Sequence, residues 1–160
     1  MYACLSILIL FFSSFSFGFG YDSLPKEQQM ALQYMRAVTD NDYRKLLNFY
    51  NRDSTFEDRT AGKSYTGARD ILTFLKRAHA HVHEYEFNIE QMYNSGSLVI
   101  MIGNYYLKGP GKQFGKPGKI IEVAIPGVTT LIVDVNNHRI KKHTDLLDYA
   151  AMKEQLSMQY

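Results

Sequence analysis

The sequence predicts an α+β protein in which helices come first and long antiparallel strands follow. Apolar residues recur at helical spacing through the first half of the chain, and from about Val82 onward the pattern becomes that of strands. Runs of helix followed by runs of strand are typical of folds in which helices pack on one face of a sheet. The 160 residues suit one domain, and neither an internal repeat nor a linker to a second domain is evident.

The first helix is predicted to begin near Pro25, which suits a helix's first turn. An apolar stripe at spacing i, i+4, i+7 and i+8 follows, formed by Met30, Tyr34, Ala37 and Val38. The stripe places Tyr34 on the face that turns toward the core. A second, short amphipathic helix is predicted over residues 43–50. A third is predicted after Thr66, with an apolar stripe formed by Ile71, Leu72, Leu75 and Ala78.

A short strand over residues 54–58 lies between the second and third helices, followed by a turn and a return strand that carries Tyr65. Alternation puts Phe56 and Asp58 on the same face, which predicts that Asp58 points inward. A carboxylate in an apolar pocket is a better proton acceptor near neutral pH. The alternative is a structural Asp that bonds to backbone or pairs with Arg59 or Arg69. If functional, Asp58 is expected to face the hydroxyl of Tyr34, itself otherwise a plain core residue.

The second half of the chain predicts a sheet and a terminal helix. Strands are expected at residues 84–93, 98–107, 120–125, 129–135 and 139–147, and the helix at 149–158. A bulge or bend is predicted at Pro126 and Gly127, because proline cannot donate to a strand ladder. The strand at 98–107 is apolar on both faces, which predicts a homodimer formed through the sheet.

Residues 1–20 are typical of a secretory signal peptide. The segment has no charged side chain, its apolar run is too short to span a bilayer, and Gly18 and Gly20 suit cleavage before Tyr21. The lack of a basic residue leaves open an uncleaved anchor or a misassigned start. The prediction is a secreted or periplasmic protein with no stable membrane span after signal removal. Cys4 is the only cysteine, so the mature chain has no disulfide.

Three blocks of the sequence resemble the nuclear transport factor 2-like superfamily, within it the SnoaL-like and ketosteroid-isomerase-like branch. They are NFYNRDSTFED at 48–58, TGARDILTFL at 66–75 and RIKKHTDLLDY at 139–149. The resemblance covers residues 21–160. It implies a cone-shaped α+β fold in which a curved mixed or antiparallel sheet wraps around three N-terminal helices and encloses a deep apolar pocket.

The resemblance also implies a catalytic site. In ketosteroid isomerases the residue matching Asp58 is the general base, and the one matching Tyr34 donates to the developing enolate oxygen. The second acid of those isomerases has no counterpart in residues 123–133. SnoaL-like cyclases and limonene-epoxide-hydrolase-like enzymes place an acid/base pair on the last strand, where His143 and Asp145 stand. The expected ligand-binding side chains are Phe56, Tyr65, Leu75, Tyr105, Val123 and Ile125.

His143 and Asp145 share a strand face, but alternation alone does not say which face is buried. They fit a base and the group that orients it, or an acid pair that acts on a leaving oxygen. The alternative is a structural network on the sheet that anchors the C-terminal segment through Asp148.

The resulting prediction is an exported acid/base enzyme of isomerase, cyclase or hydrolase type, acting on a small apolar carbonyl or epoxide compound. The alternative is a non-catalytic module of the same fold that binds a small hydrophobic ligand or forms dimers. No cofactor is expected. No metal is expected either, because the alternating His79, His81 and His83 lie at a helix end, where such residues diverge. The net charge of +2 does not favour nucleic acid.

Overall fold

The computed structural model describes residues 21–159, which form four α-helices and six strands. The elements are α1 (Lys26–Thr39), α2 (Tyr43–Leu47), β1 (Thr55–Asp58), β2 (Lys63–Thr66), α3 (Ala68–Ala78), β3 (Glu84–Ser95), β4 (Leu98–Pro110), β5 (Ile120–Asp134), β6 (Arg139–Leu147) and α4 (Tyr149–Met158). The predicted signal peptide, residues 1–20, lies outside the described part. No helix in residues 21–159 is long and apolar enough to cross a bilayer.

The six strands form one sheet in the order β2-β1-β6-β5-β4-β3. The pairing of β1 with β6 is parallel and every other pairing is antiparallel, so the sheet is mixed. Helix α1 packs against β3, β4 and β5, and α3 packs beside β2. The predicted α+β class is confirmed.

The core forms where the α1 stripe meets the sheet. All four stripe residues, Met30, Tyr34, Ala37 and Val38, are buried, as their spacing predicts. Tyr34 has none of its surface exposed. Its ring packs edge-on against Phe49 and Tyr50, in the segment after α2. Helix α1 therefore brings a tyrosine hydroxyl into the centre of the molecule.

The pairing of β3 with β4 contains an irregularity beside Gly103 of β4. The register between these strands shifts between Ile89 and Gln91, next to the pairing of Ile89 with Gly103. A Cβ atom on Gly103 would lie 2.0 Å from the backbone oxygen of Asn88. Only glycine allows this close approach, which is the usual reason for a glycine at a bulge.

The interruption predicted at Pro126 is wrong. Strand β5 continues through this residue, and its register with β4 does not shift there. The Pro126 carbonyl points away from β4 and accepts a hydrogen bond from the Asp148 backbone N–H at 2.8 Å. In an extended strand the N–H and C=O of one residue point the same way, so the missing donor of Pro126 faces the side where β6 has ended.

A bulge in β6 explains why alternation could not decide its buried face. Ile132 pairs with Lys142 and Val133 pairs with Ile140, so Lys141 is the extra residue. Ile140 and His143 are three residues apart, yet both are buried. The bulge resets the alternation and turns His143 and Asp145 toward the core.

Strand β5 extends beyond the end of β6, and α4 covers the exposed stretch. The pairing with β6 begins at Gly127, which leaves residues 120–126 without a strand on that side. The side-chain amide of Gln155 accepts a hydrogen bond from the backbone N–H of Ala124 at 2.9 Å and donates one to the carbonyl of the same residue at 2.7 Å. The amide of Gln159 makes the same two bonds to Glu122, at 3.0 and 2.6 Å. Two glutamine side chains thus pair with the strand edge as a neighbouring strand would.

Candidate functional site

A cavity of about 190 Å³ lies between the helices and the inner face of the sheet. Most of its wall is apolar. The polar side chains on the wall are those of Asp58, His79, Tyr85, Tyr105, His143 and Tyr149. An apolar cavity with a few convergent polar groups is the usual form of a small-molecule site.

Asp58 stands at the end of β1, with 7% of its surface exposed, and lines the cavity. One carboxylate oxygen accepts a hydrogen bond from the backbone N–H of Ala61 at 2.8 Å, and the other accepts one from the Tyr149 hydroxyl. Arg59 pairs instead with Glu57, which precedes Asp58 on β1. The carboxylate is therefore fixed by two donors, without an arginine, at the edge of an apolar space.

Tyr34 does not contact Asp58. Its hydroxyl lies 2.7 Å from Nδ1 of His143 and 2.7 Å from the hydroxyl of Tyr50. In the parallel register of β1 and β6, His143 lies beside Phe56, with ring centroids 4.2 Å apart. Asp58 lies two residues further along β1, beside Asp145. Tyr34 of the α1 stripe reaches His143 but not Asp58. The predicted contact of Tyr34 with Asp58 is therefore wrong, and Tyr34 contacts His143 in its place.

His143 and Asp145 contact each other in the core. Nε2 of His143 lies 2.8 Å from a carboxylate oxygen of Asp145, and 1% of the histidine surface is exposed. A carboxylate oxygen accepts, so Nε2 carries a proton, and in a neutral imidazole Nδ1 then accepts from the Tyr34 hydroxyl. Tyr34 in turn accepts from Tyr50. The hydrogen bonds from Tyr50 to Asp145 therefore all run in one direction, and both ring nitrogens of His143 are occupied.

Asp145 is also held from the neighbouring strand. The Thr129 hydroxyl donates to the same carboxylate oxygen at 2.6 Å, and the Tyr105 hydroxyl lies 2.5 Å from that of Thr129. Within the described residues, every fully buried side-chain nitrogen and oxygen has a hydrogen-bond partner. The catalytic role of His143 and Asp145 stays a prediction, but their network holds one wall of the cavity rigid.

Burial keeps the tyrosines around this network protonated. Removal from water raises the pKa of Tyr34 and of Tyr105 well above 10, and the neighbouring Asp145 contributes to both shifts. The pKa of Tyr149 is raised by burial and by its hydrogen bond to Asp58. These phenols therefore act as hydrogen-bond donors near neutral pH.

The expected ligand-binding residues divide into two groups. Four line the cavity: Phe56, Leu75, Tyr105 and Ile125. Two do not. Tyr65 stacks on Phe74 at 4.3 Å, and it is Phe74 that faces the cavity, while Val123 is buried in the core of β5. Sequence reasoning missed Tyr149, because it lies 91 residues from Asp58 and no local pattern joins them. It also missed Tyr85, which is only one of several aromatic residues on β3.

The described residues offer no evident metal site. No group of three or more His, Cys, Asp or Glu side chains in residues 21–159 is arranged to hold an ion. Of the alternating histidines, His79 lines the cavity and contacts Asn41, whereas His81 and His83 are exposed.

The sheet order, the helix positions and the cavity are those of the ketosteroid-isomerase-like fold. A solved structure from Catenulispora acidiphila, described as having that fold, superimposes with a TM-score of 0.64. It is 20% identical and covers 79% of this chain and 91% of that chain. An LEH-like epoxide hydrolase from M. tuberculosis has a TM-score of 0.66 at 19% identity, covering 82% of this chain and 90% of that one. Both show the fold alone.

The family is shown more directly. The model of the SnoaL-like domain matches residues 31–143, and the chain belongs to this family. A candidate SnoaL-like polyketide cyclase from Shewanella putrefaciens CN-32 is 62% identical. It covers 85% of this chain and 99% of that chain, with a TM-score of 0.84. No curated protein gives a significant match.

Proposed function

We propose that this protein is an acid/base enzyme that acts on a compact apolar molecule bearing a carbonyl or epoxide group. The observation that carries the proposal is the placement of Asp58, whose carboxylate opens onto a largely apolar cavity while Tyr149 and a backbone N–H fix its orientation. A positioned carboxylate in a water-poor site is the basic requirement for abstracting a proton. The candidate cyclase at 62% identity supports the same class.

The volume of the cavity limits the substrate. An engineered apolar cavity of about 150 Å³ in another protein holds one benzene molecule. At about 190 Å³, this cavity has room for one ring with a few additional atoms. The structure in this form therefore favours a monocyclic substrate over a four-ring steroid or a polycyclic polyketide.

Asp58 is the base in this proposal. With a carbonyl compound, Asp58 takes a proton from the carbon beside the carbonyl and returns it to another carbon. With an epoxide, the oxygen of a water molecule forms a bond to a ring carbon as the C–O bond of the ring breaks. Asp58 takes a proton from this water, a cavity phenol protonates the leaving oxygen, and the proton on Asp58 then returns to the phenolate. His143 has no free nitrogen, so it and Asp145 act as positioning residues that hold the wall. Neither reaction needs a cofactor.

Asp58→Asn tests the proposal, with Glu57→Gln as its matched control. Glu57 is the adjacent residue of β1, points to the opposite face and pairs with Lys142 and Arg59. The probes are cyclohexene oxide and 3-cyclohexenone, followed by gas chromatography. The wild type should convert at least one, Asp58→Asn should lose about 100-fold in kcat, and its free energy of unfolding should change by about 1 kcal/mol or less. Glu57→Gln should keep its activity.

Full activity in Asp58→Asn would refute a catalytic role for this carboxylate. One observation favours a second candidate function, a non-catalytic binding module: both oxygens of Asp58 already accept hydrogen bonds within the protein. In that case the wild type would bind the probes in the cavity and return them unchanged.

We also propose that the protein is exported and forms a homodimer through the outer face of the sheet. Ile102, Val128 and Leu146 lie in one row across β4, β5 and β6, and 47% of the Leu146 surface is exposed. Leu146→Lys should convert a dimer into a monomer in light scattering after size-exclusion chromatography. Export is tested by N-terminal sequencing of the secreted protein, which should begin at Tyr21.

A further inference from the structure

Tyr85 carries a hydroxyl group that the protein itself leaves unused. The residue lies on β3 and lines the cavity, with its ring 4.4 Å from that of His79 and 6.0 Å from that of Tyr105. Its hydroxyl has no hydrogen-bond partner among residues 21–159, whereas every fully buried side-chain oxygen in that range has one. The Tyr85 hydroxyl must therefore open onto free space.

Tyr85 is half-buried and lines the cavity, which offers free space for its hydroxyl. Burial raises the pKa of Tyr85, and the neighbouring Asp145 and Tyr149 add to the shift. Asp145 belongs to the buried network, and Tyr149 lies on the cavity wall beside Asp58. The phenol therefore lies on the inner side of the sheet, where it stays protonated and can donate.

His79, whose ring lies next to that of Tyr85, carries a hydrogen-bond acceptor. It follows the last residue of α3, and its Nδ1 lies 2.8 Å from the side-chain oxygen of Asn41, which also accepts from Tyr43 at 3.1 Å. An amide oxygen accepts, so Nδ1 carries the proton and Nε2 has the lone pair. Nε2 has no partner among the described residues. Burial lowers the pKa of His79 to about 4, so the ring is neutral near pH 7.

We propose that Tyr85 and His79 form a second polar subsite of the cavity, which binds a hydroxyl group of the ligand. A hydroxyl can accept from the Tyr85 O–H and donate to Nε2 of His79, so it satisfies both groups. A carbonyl or ether oxygen can satisfy only Tyr85 and leaves the histidine acceptor unpaired, which costs affinity. The subsite narrows the substrate class of the proposed function to monocyclic compounds that carry an alcohol, enol or phenol. This inference rests on the proposed function only in using the same cavity.

The test is the affinity of the full chain for phenol and for toluene, two rings of similar size that differ in the hydroxyl. NMR titration of wild type should give an affinity for phenol about tenfold higher than for toluene. Tyr85→Phe should remove most of this preference without weakening toluene binding. Tyr106→Phe is the matched control: its exposed hydroxyl bonds to Glu122 on the outer face, and the preference should persist.

A third variant separates this subsite from Asp58, which could also accept from phenol. The phenol preference should survive in Asp58→Asn. The proposal is overturned if Asp58→Asn abolishes the preference while Tyr85→Phe retains it, if wild type binds both probes equally, or if it binds neither. None of these measurements needs turnover, so a failure of the proposed catalytic function would be seen separately.

Discussion

Thr129→Val removes the hydroxyl that connects β5 to the buried network while keeping the shape of the side chain. In the wild type this hydroxyl donates to Asp145 at 2.6 Å and lies 2.5 Å from the hydroxyl of Tyr105. A hydrogen bond to a charged group contributes about 1.5–3 kcal/mol, and a neutral one about 0.5–1.5 kcal/mol. The added methyl group returns about 0.8 kcal/mol through burial. The expected loss in the free energy of unfolding is therefore about 1–4 kcal/mol.

The matched control is Thr130→Val, one residue further along β5. Thr130 points to the other face of the sheet, is half-buried and makes no side-chain hydrogen bond within the described residues. Its replacement by Val should change the free energy of unfolding by about 0.5 kcal/mol or less. Urea denaturation followed by circular dichroism measures both variants. If Thr129→Val were as stable as Thr130→Val, the Thr129 hydroxyl would not stabilise the fold through the network around Asp145.

Three further predictions concern stability. The pKa of His79 is about 4 in the folded chain against an ordinary 6.5, so the unfolded chain binds more protons between these two pH values. The free energy of unfolding should therefore fall by up to about 3 kcal/mol as the pH drops from 6.5 to 4. Urea titrations of His79→Leu should lack this pH dependence. Gly103→Ala should cost more than about 3 kcal/mol, because its Cβ would lie 2.0 Å from a backbone oxygen of β3; a midpoint close to wild type would contradict this. Tyr34→Phe leaves the Tyr50 hydroxyl and Nδ1 of His143 without a partner. It should lower the free energy of unfolding by about 1–3 kcal/mol, whereas toluene affinity should stay unchanged.

The order and type of the elements could be predicted from the sequence because each has a local signal. The α1 stripe, the turn residues and the alternation in β1 depend on neighbours within a few positions. Pro126 shows the limit of such reasoning. Proline is excluded from a central strand only where its missing N–H faces a partner, and β6 happens to end before that point. The extent of a neighbouring strand is a tertiary property.

The candidate site was only partly predictable for the same reason. Inward placement of Asp58 follows from its strand face, and its burial agrees with that. The partner of Asp58 depends on where α4 returns, and the partner of Tyr34 depends on the register of β1 with β6. Alternation on β6 was masked by the extra residue Lys141. Contacts between distant segments produce no periodic pattern in the amino-acid sequence, so pattern analysis cannot predict them.

The hydrogen bonds of Gln155 and Gln159 protect the free edge of β5 from pairing with strands of other molecules. Loss of the last residues would uncover the outward-facing backbone groups of residues 120–125, which would then lack partners and are flanked by apolar side chains. Such an edge recruits strands from other molecules. A C-terminally trimmed form should therefore precipitate or form fibrils at concentrations where the whole protein stays dispersed, although every strand of the sheet would still be present.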